Sequence, residues 1–159
     1  MLTQSEADAL IAMQKKKSTD EQYDFPSSGE ILTIPIVSID ERESFLIDVN
    51  RKGKIRLTKC TYQERYRGII ILVRLDIDGP PHTNPETTSV PLPYLAPYNS
   101  QTIQCPHLHL YAEGFMDRWA IPAPSDIFNR TNDLYETLMD FFRYCNVIDP
   151  PIIQRGLFI

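Results

Sequence analysis

The chain has 159 residues, 42% of them hydrophobic, and a formal net charge of −5 at pH 7. This length and composition predict a single globular domain over residues 1–159 that needs no metal or disulfide to support its core. The acidic balance gives no overall attraction to a phosphate backbone, and the three widely spaced cysteines exclude a disulfide framework and predict reduced thiols.

The N-terminal segment predicts a helix. Thr3 and Glu6 have the spacing of a capping box, and an apolar stripe follows. The run Lys15–Lys17 lies where the helix dipole favours cations, so we predict a solvated helix end. No apolar run approaches the roughly 20 residues of a membrane span. We therefore expect a cytoplasmic protein with no membrane association.

The next part of the chain alternates apolar and polar residues with a period of two. This pattern predicts strands at Ile31–Ile39, Ser44–Val49, Lys54–Thr61 and Arg67–Asp78. In the last of these, one face should carry the apolar residues Ile69, Ile71, Val73, Leu75 and Ile77. The opposite face should carry Arg74, Asp76 and Asp78.

A long loop, Pro80–Pro97, leads from this strand towards a second polar strand at 105–114. Such loops are commonly functional or disordered. In the strand, His107, His109 and Tyr111 share one face, which we expect to be open for chemistry. If the two strands pair as antiparallel neighbours, their polar faces meet, and the loop brings His82 to the same place.

The C-terminal part predicts a further strand at Phe115–Ile121 and a helix from Asp133 to Asn146 with an apolar stripe. The apolar tail Ile152–Ile159 is expected to add a strand or to dock on a partner. The predicted fold is α+β: an antiparallel sheet of five or six strands, covered by the N-terminal and the C-terminal helix.

A metal site is one interpretation of the histidines. Two imidazoles on one face of a strand, completed by a further ligand, make a catalytic site with an open position. The cofactor would be a divalent metal such as zinc. The ligand set would be His82, His107, His109 and Glu113, with Asp76 or Asp78 as alternative third ligands.

Metal-free phosphodiester cleavage is a second interpretation. Histidine suits both proton transfers because its pKa lies near neutral pH. The catalytic group would be His82, His107, His109, Arg74 and Tyr111, with Arg74 stabilising negative charge, Tyr111 donating a hydrogen bond, and RNA as the substrate.

A third interpretation is purely structural, because single histidines are often only hydrogen-bonding residues of a turn or core. The protein would then be a non-enzymatic interaction module, such as an inhibitor or an antitoxin-like partner. Its acidic surface would bind a basic protein.

Two motifs carry a resemblance to known families. The segments Asp78–Pro85 and Pro106–Gly114, followed by Asp117–Ala120, resemble an uncharacterised bacterial family of small proteins of unknown function. The histidine motifs are also similar, more distantly, to small toxins of toxin-antitoxin systems. Such toxins tend to have two histidines in the upstream motif, where this chain has His82 alone. The resemblance implies a mobile-element or defence-related context and no particular activity. With the histidines, our working hypothesis is a ribonuclease-like phosphodiesterase of a bacterial or phage conflict system.

Overall fold

The computed structural model describes residues 1–53 and 57–156. In these residues the α-helices are Gln4–Ala12 (α1) and Leu134–Tyr144 (α2), and Pro93–Tyr98 is a 3-10 helix. The strands, in chain order, are β1 (Lys15–Lys17), β2 (Tyr23–Asp24), β3 (Ile31–Ser38), β4 (Ser44–Asn50), β5 (Thr61–Tyr66), β6 (Ile70–Asp76), β7 (His82–Thr83), β8 (Thr102–Ile103), β9 (His107–Ala112), β10 (Met116–Pro122), β11 (Val147–Asp149) and β12 (Ile153–Gln154).

One large sheet organises the described part of the chain. Its eight strands run in the order β10-β9-β6-β5-β4-β3-β1-β11. Neighbouring strands are antiparallel except for the β1 and β11 pair, which is parallel. Two small sheets pair β2 with β12 and β7 with β8. The predicted antiparallel sheet of five or six strands is therefore wrong, because the sheet is larger and mixed.

The lysine run explains part of this difference. Lys15 is fully buried and begins β1 instead of ending a solvated helix. Its ammonium donates to the carbonyls of Ile11, Met13 and Cys145 and lies 3.2 Å from a carboxylate oxygen of Glu64. A buried charge is tolerated when partners of this kind replace its water. The prediction of a solvated helix end is wrong for Lys15.

The third predicted strand is also misplaced. Residues 54–56 of the predicted Lys54–Thr61 strand lie outside the described residues, and 57–60 are not in a strand. The strand begins at Thr61, and Tyr62, Glu64 and Tyr66 are its buried side. Two tyrosines and a glutamate do not form the apolar alternation that marks a half-buried strand, so the pattern was not recognised.

The predicted fourth strand is shorter than expected, and the alternation of its side chains between the two faces changes along its length. Arg67 and Gly68 have positive φ angles and turn the chain into β6. Ile69, predicted on the apolar face, lies in this turn and is 82% exposed, and a bulge opposite Glu64 and Arg65 follows within β6. An extra residue in one strand inverts which side chains face the core beyond it. Beyond the bulge the faces agree with the prediction: Val73, Leu75 and Ile77 are buried.

Both predicted helices are confirmed. Thr3 caps α1 in a capping box, and the Asp133 side chain caps α2. The α2 helix packs on the sheet through Phe141, whose ring centroid lies 5.9 Å from that of Tyr62. The predicted C-terminal tail contributes β12, and its residues 157–159 lie outside the described part. Among the described helices, none combines the length and the apolar character that crossing a bilayer requires.

Candidate functional site

The candidate site lies where β6 and β9 are antiparallel neighbours, near the β10 edge of the sheet. Arg74 is opposite His109, and Asp76 is opposite His107. Directly opposite side chains of an antiparallel pair lie on the same face. The pairing confirms that these two strands are adjacent and antiparallel, as sequence adjacency predicted.

The histidine face is buried and not open as expected. His107 is 2% exposed and His109 is fully buried. The ring of His82, on β7, has its centroid 6.0 Å from that of His107 and 4.5 Å from that of His109. The Nε2 of His82 contacts the carbonyl of Arg118 at 2.9 Å. The structure thus brings the three histidines together, with two of them beneath the surface.

A buried asparagine holds the β7 segment in place. The amide of Asn84 donates to the carbonyls of Tyr98 and Ala120, and its oxygen accepts from the Ala120 amide. Asn84 is 3% exposed, so these bonds replace its water. His82 therefore sits two residues from a fixed anchor on β10.

Backbone carbonyls determine the tautomers of the two buried histidines. The Nδ1 of His107 lies 3.2 Å from the Ile103 oxygen, and the Nδ1 of His109 lies 2.9 Å from the Asp117 oxygen. A carbonyl oxygen only accepts hydrogen bonds, so each Nδ1 carries a proton. In both rings Nε2 is the atom that remains for a cation or for a second proton.

Both Nε2 atoms converge on one carboxylate oxygen. The Oδ2 of Asp76 lies 3.1 Å from Nε2 of His107 and 3.3 Å from Nε2 of His109. The other oxygen of Asp76 accepts from the hydroxyl of Thr61 at 2.7 Å. Within the described residues, Asp76, His107 and His109 form a group whose ligand atoms all lie within 4.8 Å of one another.

The two separations from Oδ2 of Asp76 suit a small divalent cation. Ligand atoms about 2.1 Å from a tetrahedral zinc ion lie about 3.4 Å from one another. The two contacts of Asp76 Oδ2, at 3.1 and 3.3 Å, are close to that value. The Nδ1 bonds of His107 and His109 to backbone carbonyls are the supporting contacts that orient metal-bound histidines. The three residues could therefore hold a metal ion.

Arg74 places a positive charge beside the same atoms. Its Nη2 lies 2.9 Å from Nε2 of His109, and its Nε lies 3.2 Å from Oδ2 of Asp76. Its Nη1 donates to Oδ2 of Asp117 at 3.0 Å. The guanidinium is 26% exposed, so it connects the buried histidines to the surface.

The surrounding groups change the acidity of Asp76 and His82. Burial raises the pKa of Asp76, but its contacts with His107 and His109 and the charge of Arg74 outweigh burial. The resulting pKa lies well below its ordinary value, so the carboxylate is ionised. Burial, with a smaller effect from the nearby histidines and Arg74, lowers the pKa of His82. At neutral pH His82 is therefore uncharged and able to accept a proton.

A cleft of about 230 Å³ opens onto this group. Its lining includes Lys59, Arg74, Asp76, His82 and His107. The cleft therefore presents two cations, Lys59 and Arg74, and two carboxylates, Asp76 and Asp78, beside the imidazoles. A space of this size admits a phosphate group or a carboxylate of a substrate whose remainder stays outside.

Two of the predicted site residues lie elsewhere in the fold. The hydroxyl of Tyr111 donates to the Leu2 carbonyl, and the carboxylate of Glu113 accepts from the Gln4 amide. Both side chains therefore attach the N-terminal segment to β9. The structure does not bring them to the three histidines.

Two functional neighbours were not identified from the sequence. Thr61 supports the carboxylate of Asp76, and Asp117 contacts both His109 and Arg74. A signal for Asp117 exists, since it lies just after the turn that joins the histidine strand to β10. No comparable signal marks Thr61, because it comes from a strand that was misplaced.

One family model matches residues 2–147 of the chain, and its description is "Family of unknown function (DUF6978)". The match confirms the predicted membership of an uncharacterised family. No curated protein and no solved structure matches the chain.

Proposed function

The chain belongs to DUF6978, a family of unknown function, and we propose that its Asp76, His107 and His109 bind a divalent metal ion such as zinc to hydrolyse phosphodiesters. The observation that carries this proposal is the convergence of two Nε2 atoms on one oxygen of Asp76. Two imidazoles and one carboxylate leave a coordination position for water or substrate.

The metal would polarise the phosphoryl oxygen and lower the pKa of a bound water, which supplies the nucleophile at neutral pH. Asp76 is ionised, and His107 and His109 direct their Nε2 atoms at its Oδ2 while backbone carbonyls hold their Nδ1 atoms, so all three point ligand atoms at the place that a cation would occupy. Thr61 holds the second oxygen of Asp76 and fixes the orientation of the carboxylate.

With a dication bound, the positive charges of the cleft would exceed the two negative charges of Asp76 and Asp78 and favour an anionic substrate. Arg74 and Lys59 both line the cleft. A guanidinium pairs with two phosphate oxygens at once, and this pairing stabilises the charge that develops during phosphoryl transfer. His82, uncharged at neutral pH, is the group placed to accept a proton from the nucleophile.

The histidines also support a second candidate, which is metal-free cleavage of RNA. The ring centroids of His82 and His109 are 4.5 Å apart, and Arg74 contacts His109. One histidine would take the proton of the 2′-hydroxyl and another would protonate the leaving oxygen. RNA is the substrate in this candidate, since DNA lacks that hydroxyl.

The predicted resemblance of the histidine motifs to toxins is the basis of a proposed context for either activity. We place it in a bacterial or phage conflict system, in which RNA of the cell or the invader would be the target. If neither activity is present, the alternative is a binding module that uses the acidic surface of the chain against a basic protein partner.

Elemental analysis of protein purified without a histidine tag tests the metal directly. We expect close to one divalent metal per chain in the wild type and none in the His107→Ala, His109→Ala double variant. Tyr111→Phe is the matched control on the same strand and should keep the metal, since among the described residues its hydroxyl donates to the Leu2 carbonyl and not to a proposed ligand.

A cleavage assay distinguishes the two candidates. The metal-dependent enzyme loses cleavage of a fluorogenic oligoribonucleotide when a chelator is added and regains it with zinc. Cleavage that persists in chelator and disappears in His82→Ala identifies the metal-free reaction. Equal metal content in the wild type and the double variant contradicts the metal site.

A further inference from the structure

We infer that Arg74 and the divalent cation compete for the same atoms, and that the displaced guanidinium becomes the binding group for a substrate phosphate. The inference rests on the proposed metal site and adds to it a coupling between metal and anion. Its basis is the contact of Arg74 with two of the three ligand residues, His109 and Asp76.

The lone pair of His109 makes the competition exclusive. Its Nδ1 donates to the Asp117 carbonyl, which leaves Nε2 with one lone pair. That lone pair accepts from Nη2 of Arg74 at 2.9 Å. A cation needs the same lone pair, so it can bind His109 only after Arg74 has moved away.

The contact with Asp76 adds electrostatic competition. The Nε of Arg74 lies 3.2 Å from Oδ2, the oxygen on which the histidines converge. A dication bound to that oxygen would lie within a few ångströms of a permanent positive charge. Because both groups are only partly exposed, water screens their repulsion poorly. Metal binding therefore requires the guanidinium to turn away from Asp76.

Asp117 determines where Arg74 can go. Its carboxylate accepts from Nη1 of Arg74 at 3.0 Å and is itself 27% exposed. A guanidinium released from His109 but still held by Asp117 remains at the wall of the cleft, which Lys59 also lines. The N–H groups of the guanidinium that this movement frees can then donate to the oxygens of a phosphate. The substrate class is consequently an ester with at least one ionised phosphoryl oxygen.

This exchange predicts reciprocal coupling. A phosphodiester gives the displaced guanidinium a partner and so strengthens metal binding, and bound metal strengthens phosphodiester binding by the same factor. Without Arg74 both the competition and the coupling disappear.

Titration with cobalt(II), followed by its visible absorption, tests the inference with and without dimethyl phosphate. We expect Arg74→Met to bind cobalt roughly tenfold more tightly than the wild type, a change typical of coupled sites. Dimethyl phosphate should tighten cobalt binding by the wild type and leave Arg74→Met unchanged. Arg74→Gln removes the charge and keeps a hydrogen-bond donor, and it should behave like Arg74→Met. With two variants, the test remains valid if one of them fails to fold.

Arg65→Met is the matched control. Arg65 on β5 pairs with Asp48 on β4 and is 25% exposed, close to the 26% of Arg74. Within the described residues its side-chain hydrogen bonds go to Asp48 and Gly68 and not to a histidine. This control should leave cobalt affinity unchanged. Equal or weaker cobalt binding by both Arg74 variants overturns the inference while the metal site stands. If neither the wild type nor the Arg74 variants bind cobalt, so that His109→Ala behaves like the wild type, the metal site fails as well.

Discussion

At the scale of single residues, the pair Lys15 and Glu64 is the least expected feature of the chain. Both side chains are fully buried, with 3.2 Å between the ammonium nitrogen and a carboxylate oxygen. The ammonium has three carbonyl partners, whereas neither oxygen of Glu64 has a hydrogen-bond partner among the described residues. The carboxylate is thus the less well solvated member of the pair, and its ionisation is the costly step.

This imbalance predicts a pH dependence of stability. Burial raises the pKa of Glu64 from 4.5 to about 7, even though Lys15 opposes the change. Since the folded pKa is higher than the unfolded one, the stabilisation is complete below pH 4.5 and is lost as the pH rises to about 7. Urea unfolding at pH steps across this window should show the free energy of unfolding falling in the wild type.

The Glu64→Gln variant isolates this effect from other titrating groups. His82, whose pKa is lowered, changes stability in the opposite direction as the pH rises, and it does so equally in both proteins. The wild-type curve minus the Glu64→Gln curve should therefore fall between the two pKa values of Glu64. A flat difference would show that Glu64 keeps an ordinary pKa in the folded protein.

At the scale of secondary-structure elements, β9 has two separate duties. Its first half carries His107 and His109, and its end holds the N-terminal segment through Tyr111 and Glu113. The 2.7 Å bond from the Tyr111 hydroxyl to the Leu2 carbonyl links the sheet to the residue before the helix cap. We assign Tyr111 to structure, and not to the reaction.

A Tyr111→Phe variant separates these duties. Loss of the hydroxyl should lower the free energy of unfolding by about 1 kcal/mol, the usual contribution of one such bond, or somewhat more since the Leu2 carbonyl loses its partner. Cobalt affinity and phosphodiester cleavage should stay as in the wild type. A large loss of cleavage without loss of stability would instead place the Tyr111 hydroxyl in the reaction.

Local signals account for the elements that the sequence predicted correctly. The capping box at Thr3, the apolar stripe of α2 and the alternation in β3 are all properties of neighbouring residues. The strands β1 and β5 were missed because their burial depends on a long-range pair. In the sequence, Lys15 and Glu64 each have the character of an exposed residue. Only in the folded chain does each charge provide the partner that allows the other to be buried.

The site was predictable to a similar extent. Adjacency of the two strands correctly predicted that their polar faces meet, and the register of the folded sheet places Arg74 opposite His109. The burial of His107 and His109 depends on the loop that carries His82. The hydrogen bond of Thr61 to Asp76 depends on β5, the strand that was misplaced. Neither is a property of the histidine motifs themselves, so the motif located the site but not its full set of contacts.

At the scale of the whole molecule, the proposed metal ligands come from two neighbouring strands and not from a single local turn. Asp76 belongs to β6, and the two histidines belong to β9. A ligand that binds only the folded chain stabilises it by about 2.7 kcal/mol at a free concentration one hundred times its dissociation constant. For a chain of this length the midpoint of thermal unfolding should rise by about 5 to 10 °C.

Differential scanning calorimetry with and without zinc checks this expectation. The His107→Ala, His109→Ala double variant should show no zinc-dependent rise. A rise of equal size in the double variant would mean that zinc binds elsewhere on the chain.

The position of β1 between β3 and β11 has a consequence for the order in which the chain can assemble. The strands β3 to β6 follow one another in sequence and pair with their neighbours, so they can form soon after synthesis. Lys15 must wait for the Cys145 carbonyl, 130 residues later, before its set of partners is complete. On the ribosome, this set of partners would thus be complete only after Cys145 has been synthesised, later than the residues of the candidate site.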